Sequence, residues 1–415
     1  MRISLAIPTR ERADLLGPCL DAALAVEDPD FEIVVSDNAS QDHTHEMIAS
    51  RQDPRLKVTR TGARVSMRAN FENALAATTG DYVIFIGDDD GVLPSGIAML
   101  RAVLENHEPE AVGWPLLGYT WPSARPGHEA GVLTLRRRDA YGGIRHEPRE
   151  ALLDRLLRAK IRNYKDLPNI YHGCISRRLI GRVLAERGEP YFAGAIPDVY
   201  SSIANLLAMR TKMFWVDHPV TFGGASDRSN GVAQCGATKA TKEGAAEVEA
   251  FVSEGNQDVG AAGIDLTVPS VDALTLDMLE IATHETPHFG RIDQSAWLAK
   301  IQRRLARMPR SKAEHGVRFL EHWAEKRGLG AEYEVAKARY PISGPESEPE
   351  GSRASVSQTG WHEFSFASSS EMATVADCAS VLETVLGPHE PNRAWALRKW
   401  IGARSRARAL TESWN

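Results

Sequence analysis

Apolar and polar positions alternate in a regular order along the first hundred residues. Ile3 to Ile7 is a short apolar run closed by Pro8, which predicts a strand. Leu15, Leu16, Cys19, Leu20, Ala23 and Leu24 recur at helical spacing. Phe31 to Val35 predicts a second strand, ending in Ser36-Asp37-Asn38. Ser40 and Asp42 are cap candidates for a short helix with Met47 and Ile48. Leu56 to Val58 predicts a third strand. Phe71, Ala74, Leu75 and Thr78 mark a helix stopping at Gly80, and Tyr82 to Ile86 a fourth strand running into Asp88-Asp89-Asp90. Such alternation predicts an α/β domain with a parallel sheet covered on both faces. Ligands of such sheets bind beyond the carboxyl ends of the strands. The polar clusters Pro8-Thr9-Arg10, Asp37-Asn38 and Asp88-Asp89-Asp90 fall at those ends.

Further on, Ile97, Leu100, Val103 and Leu104 predict a helix, and residues 111–145 read as strands and loops. Residues 150–160 and 197–209 read as helices. Phe214 to Phe222 reads as a strand broken by His218-Pro219, followed by a Gly- and Ser-containing loop, Gly223 to Gly231, of the kind that closes over a ligand. The expected organisation is an α/β domain over 1–232, in halves 1–105 and 106–232. A helical extension follows over 233–340, then a flexible linker over 341–360 and a helical segment over 361–415. Trp297, Ile301 and Leu305, and Val317, Leu320 and Trp323, form stripes that suit a core or a homo-oligomer interface.

Composition narrows the class. The chain has 415 residues, with 49 basic and 55 acidic side chains and a net charge of -6, so nucleic acid is not an expected partner. No apolar run spans a bilayer, and the N-terminus enters a strand without signal-peptide features. Cys19, Cys174, Cys235 and Cys378 have no CxxC spacing and suit a reducing cytoplasm. Residues 391–410 hold six basic side chains and no acidic ones. They read either as a peripheral contact with an anionic membrane or as a core element, and their few, loosely spaced apolar residues favour the core.

The acidic triplet carries the sharpest chemistry. Residues i and i+2 of an extended chain point the same way, so Asp88 and Asp90 can converge on a hard divalent ion, Mg²⁺ or Mn²⁺. Asp37 suits either a base or ribose contact or a local turn.

Four pieces resemble the family 2 glycosyltransferases with the GT-A fold. They are Ile7-Pro8-Thr9-Arg10, Val35 to Asp42, Arg68 to Leu75, and Gly80 to Asp90, in that order and spacing. The resemblance is clear over the first quarter and weakens toward residue 230. It implies a GT-A domain with a mainly helical C-terminal extension, a nucleotide-sugar donor (usually a UDP-sugar) bound by residues 1–105, and an acceptor bound by residues 106–232. Pro8, Thr9, Arg10 and Arg12 would line the nucleotide pocket, with Asp37 and Asn38 beside the uracil or ribose and Arg68 and Asn70 toward the phosphates. Asp88 and Asp90 would end the DxD motif, Asp90 the favoured metal ligand, with Asp89 fitting either place. The implied reaction is inverting displacement, with a carboxylate base at a helix start. Ile196-Pro197-Asp198 matches, although Asp198 also suits a dipole-capping role. His218 is a candidate to complete the metal shell, and His172 to touch the acceptor. The acceptor would be a saccharide or a lipid-linked one, in surface polysaccharide or glycoconjugate synthesis.

Two rivals stand beside this reading. Asp88-Asp89-Asp90-Gly91-Val92 also fits a haloacid-dehalogenase-like phosphatase, with Asp88 as nucleophile and Asp90 as acid, but the downstream lysine and acidic cluster are missing. A non-catalytic glycan-binding or assembly protein would share the scaffold. A hydride-transfer site is excluded because the turn from Pro8 to Leu16 lacks glycine.

Overall fold

The computed structural model describes residues 1–125, 129–188, 190–194, 196–229, 253, 270–345, 363–368, 371–387 and 396–413. Strands β1 (Ile3–Thr9), β2 (Phe31–Asp37), β3 (Leu56–Arg60) and β4 (Tyr82–Phe85) are parallel and stand in the order β3-β2-β1-β4. The strands β5 (Gly91–Val92), β6 (Ala111–Gly113), β7 (Leu117–Thr120), β8 (Gly131–Arg136), β9 (Ile144–Pro148), β10 (Gly173–Ser176), β11 (Lys212–Val216), β12 (Thr221–Ala225) and β13 (Glu363–Ser368) complete two sheets. The first continues from β4 through β10, β6, β11 and β9, with β10 antiparallel to both neighbours. The second runs β13-β8-β7-β12-β5. The break at His218-Pro219 carries the chain from β11 in one sheet to β12 in the other.

Register brings the strand ends together. Thr9 pairs with Asp37 and Ala6 with Phe85, so the turns after β1, β2 and β4 share one edge. The edge strand β3 is partly exposed, whereas β1, β2 and β4 are buried on both faces. Ile3, Leu5 and Ile7 enter one core with Leu16 and Leu20 of helix α1 (Ala13–Leu24). Ala6, Val83 and Phe85 enter a second core with helices α3 (Met67–Ala77) and α7 (Pro197–Ala208). Period-two alternation sends successive side chains to opposite faces, which is why these strands are apolar throughout.

The helices Val271–Thr283, Gln294–Leu305, Arg310–Lys326 and Gly330–Arg339 extend the second core. Trp297, Ile301, Leu305, Leu320 and Trp323 are buried there, so the two stripes serve the core. The last segment differs from a wholly helical reading. It begins with β13, antiparallel to β8, because a sheet edge at β8 offers unpaired backbone. Helix Val375–Leu386 then packs on α1. Trp400, in helix Ala396–Ser413, is buried in the first core beside Cys378 and Leu382, not against the 297–323 helices. Its helix therefore spends its apolar face inside the protein. No helix among the described residues is long and apolar enough to cross a membrane. Cys235, Trp395 and residues 346–360 lie outside the described residues.

At the opposite end of the sheet, Glu32 is 3% exposed. It accepts from Ser4 Oγ at 2.5 Å, Lys57 Nζ at 2.7 Å, and the backbone N and Oγ1 of Thr79 at 2.5 and 2.7 Å. Burial raises its pKa, but these bonds outweigh it and hold the carboxyl at about 2, below its ordinary 4.5. The stability it contributes is fully present above pH 4.5 and is lost as pH falls toward 2. Glu32→Gln should lower stability at pH 7 by about 2–3 kcal/mol and flatten the loss between those pH values. Chemical denaturation across pH checks it; an unchanged acid limb would refute the role given to Glu32.

Candidate active site

The apolar run of β4 delivers Gly87 to Asp90 into a turn, with the Asp90 amide donating to the Gly87 carbonyl at 3.3 Å. The turn ends the period-two rule, so the three carboxylates part company instead of Asp88 and Asp90 converging. Asp88, 2% exposed, accepts from Thr9 Oγ1 at 2.7 Å and pairs with Arg12 Nη1 at 3.0 Å. Asp89 accepts from Ser226 Oγ at 2.9 Å and from Ser229 Oγ, while its carbonyl accepts from Trp121 Nε1 at 2.8 Å. Asp90 accepts from the Gly87 amide and Tyr171 hydroxyl, both at 2.6 Å, and from the Gly224 amide at 2.7 Å. His172 Nε2 stands 3.0 Å from the same carboxylate. Burial raises the Asp89 carboxyl, and the neighbouring charges of Asp90 and Asp88 raise it further. Burial also works against ionised Asp90, but His172, Tyr171 and Gly224 hold its pKa below the ordinary value.

Of the two candidate histidines, His172 meets the aspartates. His172 has a left-handed φ of 54°, and this aims its ring at Asp90. Its Nδ1 is 2.8 Å from Thr221 Oγ1, which accepts from Trp114 Nε1 at 2.9 Å. On the other side of the ring Nε2–H faces and donates to the Asp90 carboxylate. His218 is wholly buried with its ring 6.0 Å from that of Tyr141 and lies outside the cavity beside the aspartates. The expected place for His218 in a metal shell is therefore corrected: proline 219 turns the chain between sheets there, and His172 meets the triplet instead.

The aspartates line a cavity of about 380 Å³ that Asp198 also lines. Pro197 opens α7, and Asp198 follows it in the first turn. Burial raises the Asp198 carboxyl, while Tyr164, hydrogen-bonded to it, and the Lys165 charge act in the other direction. Tyr164 and Lys165 line the same cavity, on a short 3₁₀ turn (Tyr164–Asp166) capped by Asn163. Neither stood out in the sequence; the Asn-x-x-Asp cap was the one local signal.

Pro8, Thr9, Arg10, Arg12, Asn38 and Asn70 also line the cavity, whereas Asp37 and Arg68 do not. Asp37 accepts from the Ser40 amide at 3.0 Å and lies 3.3 Å from Arg60, so it shapes its own turn. Asn38 braces Val65 and Asn70 braces Ser36, both through side-chain bonds of 2.7–2.9 Å. The loop after β12 is strapped across the entrance. Arg12 donates to the Arg228 carbonyl, and Arg228 reaches the Glu11 carbonyl at 3.2 Å and pairs with Asp14. Among the described residues no group of three His, Cys, Asp or Glu is arranged to hold a metal.

Comparison with known proteins adds a family to this geometry. Residues 4–180 match the family described as "Glycosyl transferase family 2". Abequosyltransferase RfbV of Salmonella typhimurium is 32% identical over 111 residues, 26% of this chain and 33% of its own. GalNAc(5)-diNAcBac-PP-undecaprenol beta-1,3-glucosyltransferase of Campylobacter jejuni is 29% identical over 102 residues, 24% of this chain and 33% of its own. The chain thus spans about a third of the length of the curated relatives it matches. The structure titled as S. aureus TarS 1-349 in complex with UDP-GlcNAc is 13% identical, covers 82% of this chain and 91% of its own, and has a TM-score of 0.46, too distant to carry an argument. The mixed α/β sheet with a helical portion behind it agrees with the α/β architecture that the resemblance implied. Residues 4–180 of the chain are thus similar to the family 2 glycosyltransferases.

Proposed function

We propose that the protein moves a sugar from a nucleotide-sugar, a UDP-sugar by preference, to an acceptor hydroxyl with inversion. One observation carries the reading: Asp88 and Asp198, on elements far apart in sequence, line the same cavity. The diphosphate lies at the Asp88 end beside Arg10 and Arg12, and the nucleoside lies over Pro8 and Asn38. The acceptor hydroxyl attacks the anomeric carbon from the Asp198 side and gives its proton to that carboxylate as the diphosphate leaves. A carboxyl raised by burial suits a base working near neutral pH.

The donor set also bears on a metal. Three buried carboxylates offer hard oxygen ligands, which fit Mg²⁺ or Mn²⁺. Asp88, met by one hydroxyl and one guanidinium, would hold the ion, with the donor's phosphates and water completing its shell. Asp90 is already taken by four donors and acts as an anchor, in place of the ligand role expected for it. A divalent ion there would take up charge developing on the leaving diphosphate.

The Campylobacter relative's name refers to an undecaprenol-linked saccharide, and by analogy the acceptor here is a lipid-linked or free saccharide used in surface glycoconjugate synthesis, on the cytoplasmic side. The phosphatase alternative needs Asp90 as a proton donor, and the bonds that keep Asp90 ionised count against it.

Asp88→Asn should remove the Mn²⁺-dependent part of the thermal shift caused by UDP. A metal-dependent shift that persists would place the diphosphate elsewhere. Asp198→Asn should leave that UDP shift in place and lower transfer by about 10²–10⁴-fold, and transfer at the original rate would remove Asp198 as the base. In the unaltered protein, transfer should fall as pH drops through the raised pKa of Asp198, since the protonated carboxyl accepts no proton. Initial rates across pH, compared at saturating donor, measure this.

A further inference from the structure

We propose that Lys165 is a specificity residue that binds a phosphate or carboxylate group carried by the acceptor. The inference rests on the reading of Asp198 as the acceptor-side base. Lys165 lies in the Tyr164–Asp166 turn, and that turn is held rigidly. Asn163 Oδ1 accepts from the Lys165 amide at 2.9 Å, and Asp166 accepts from the Arg162 amide at 3.1 Å. Tyr164 bonds to Asp198, and Asn205 of α7 donates to the Pro168 carbonyl at 2.9 Å, so the turn and the start of α7 hold together. The lysine is thereby presented to the cavity at a fixed place beside Asp198.

Its ammonium is unspent. Asp198 and Asp90 are the charges acting on it, but among the described residues no carboxylate lies within ion-pair distance of Nζ. Asp90 is engaged by Tyr171 and His172, and Asp198 by Tyr164. Arg12, another cation lining the cavity, is engaged by Asp88 and the Arg228 carbonyl. A cation partly withdrawn from water, without a bonded anion, costs free energy that a ligand anion would offset. Burial pulls the Lys165 pKa down, in keeping with that cost.

Position selects the source of the anion. The diphosphate of the donor belongs with Asp88, Arg10 and Arg12, whereas Lys165 stands by the carboxylate that would face the acceptor hydroxyl. A lysine ammonium is a compact point charge that binds phosphate or carboxylate without demanding a planar fork.

The test compares the unaltered protein, Lys165→Gln and Lys165→Arg, each saturated with UDP and Mn²⁺, by thermal shift with glucose 6-phosphate and with glucose. The melting temperature without ligand reports folding of each variant. Glucose 6-phosphate should stabilise the unaltered protein and Lys165→Arg, glucose should stabilise neither, and Lys165→Gln should need about tenfold more of the phosphate for the same shift. Equal responses in all three proteins, or no response in any, overturn the proposal. A Lys165→Gln variant that folds but loses UDP binding also overturns it, because the anion would then be the diphosphate of the donor. Failure of the unaltered protein to respond to UDP at all would instead sink the donor-site reading, a separable result read before any sugar phosphate is added.

Discussion

Burying three adjacent carboxylates is the constraint around which the site is organised. Side by side in a poorly solvated turn, they would repel one another strongly. The chain resolves this by giving each a different set of partners. Asp88 turns to the end of β1, Asp89 to the loop after β12, and Asp90 to the entrance of β10 and the backbone of β12. One turn of three residues therefore pins four segments, one of them reaching Ser229, 140 positions from Asp89. The residual strain shows in Asp89, whose proton affinity rises with burial and with its neighbours' charge.

That pinning explains why the two halves of the domain meet where they do. β1, β2 and β4 end at one edge by register, and β10 and β12 approach the same edge from separate sheets. His172 is the joint between them, reaching Asp90 on one side and Thr221 on the other. Close approach leaves no room for side chains at this joint. A Cβ on Gly224 would fall 1.7 Å from the Asp89 carbonyl oxygen, so glycine is required where β12 passes the turn.

The parts beyond residue 230 support the domain from two sides. The helices from Val271 onward bury the far face of α7 and so steady the turn that presents Asp198. The last strand and helices return to the first core, with Glu383 accepting from the Ser95 amide at 2.9 Å at the start of helix Pro94–His107. The basic tail's Trp400 is a core residue on this account, in the first core with Leu16 and Leu20 of α1.

The sequence by itself determined the order of elements, the doubly buried parallel strands and the residue types waiting at their ends. Those properties follow from local periodicity: an apolar run bounded by Pro8, by Asp37 or by Gly87 reads the same in any context. The helix start at Pro197 was legible too, because a proline there is a local signal, whereas a role for Asp198 came from the family pattern. Tertiary structure decided which carboxylate meets which partner, that His172 and not His218 reaches the triplet, and that Lys165 enters the cavity. The physical reason is range. A turn cancels the two-residue periodicity at Asp88–Asp90, and from there the carboxylates bond to Thr9, Tyr171 and Ser229, which lie 79, 81 and 140 positions away. Spacing along the chain carries no information about such partners until the sheets close.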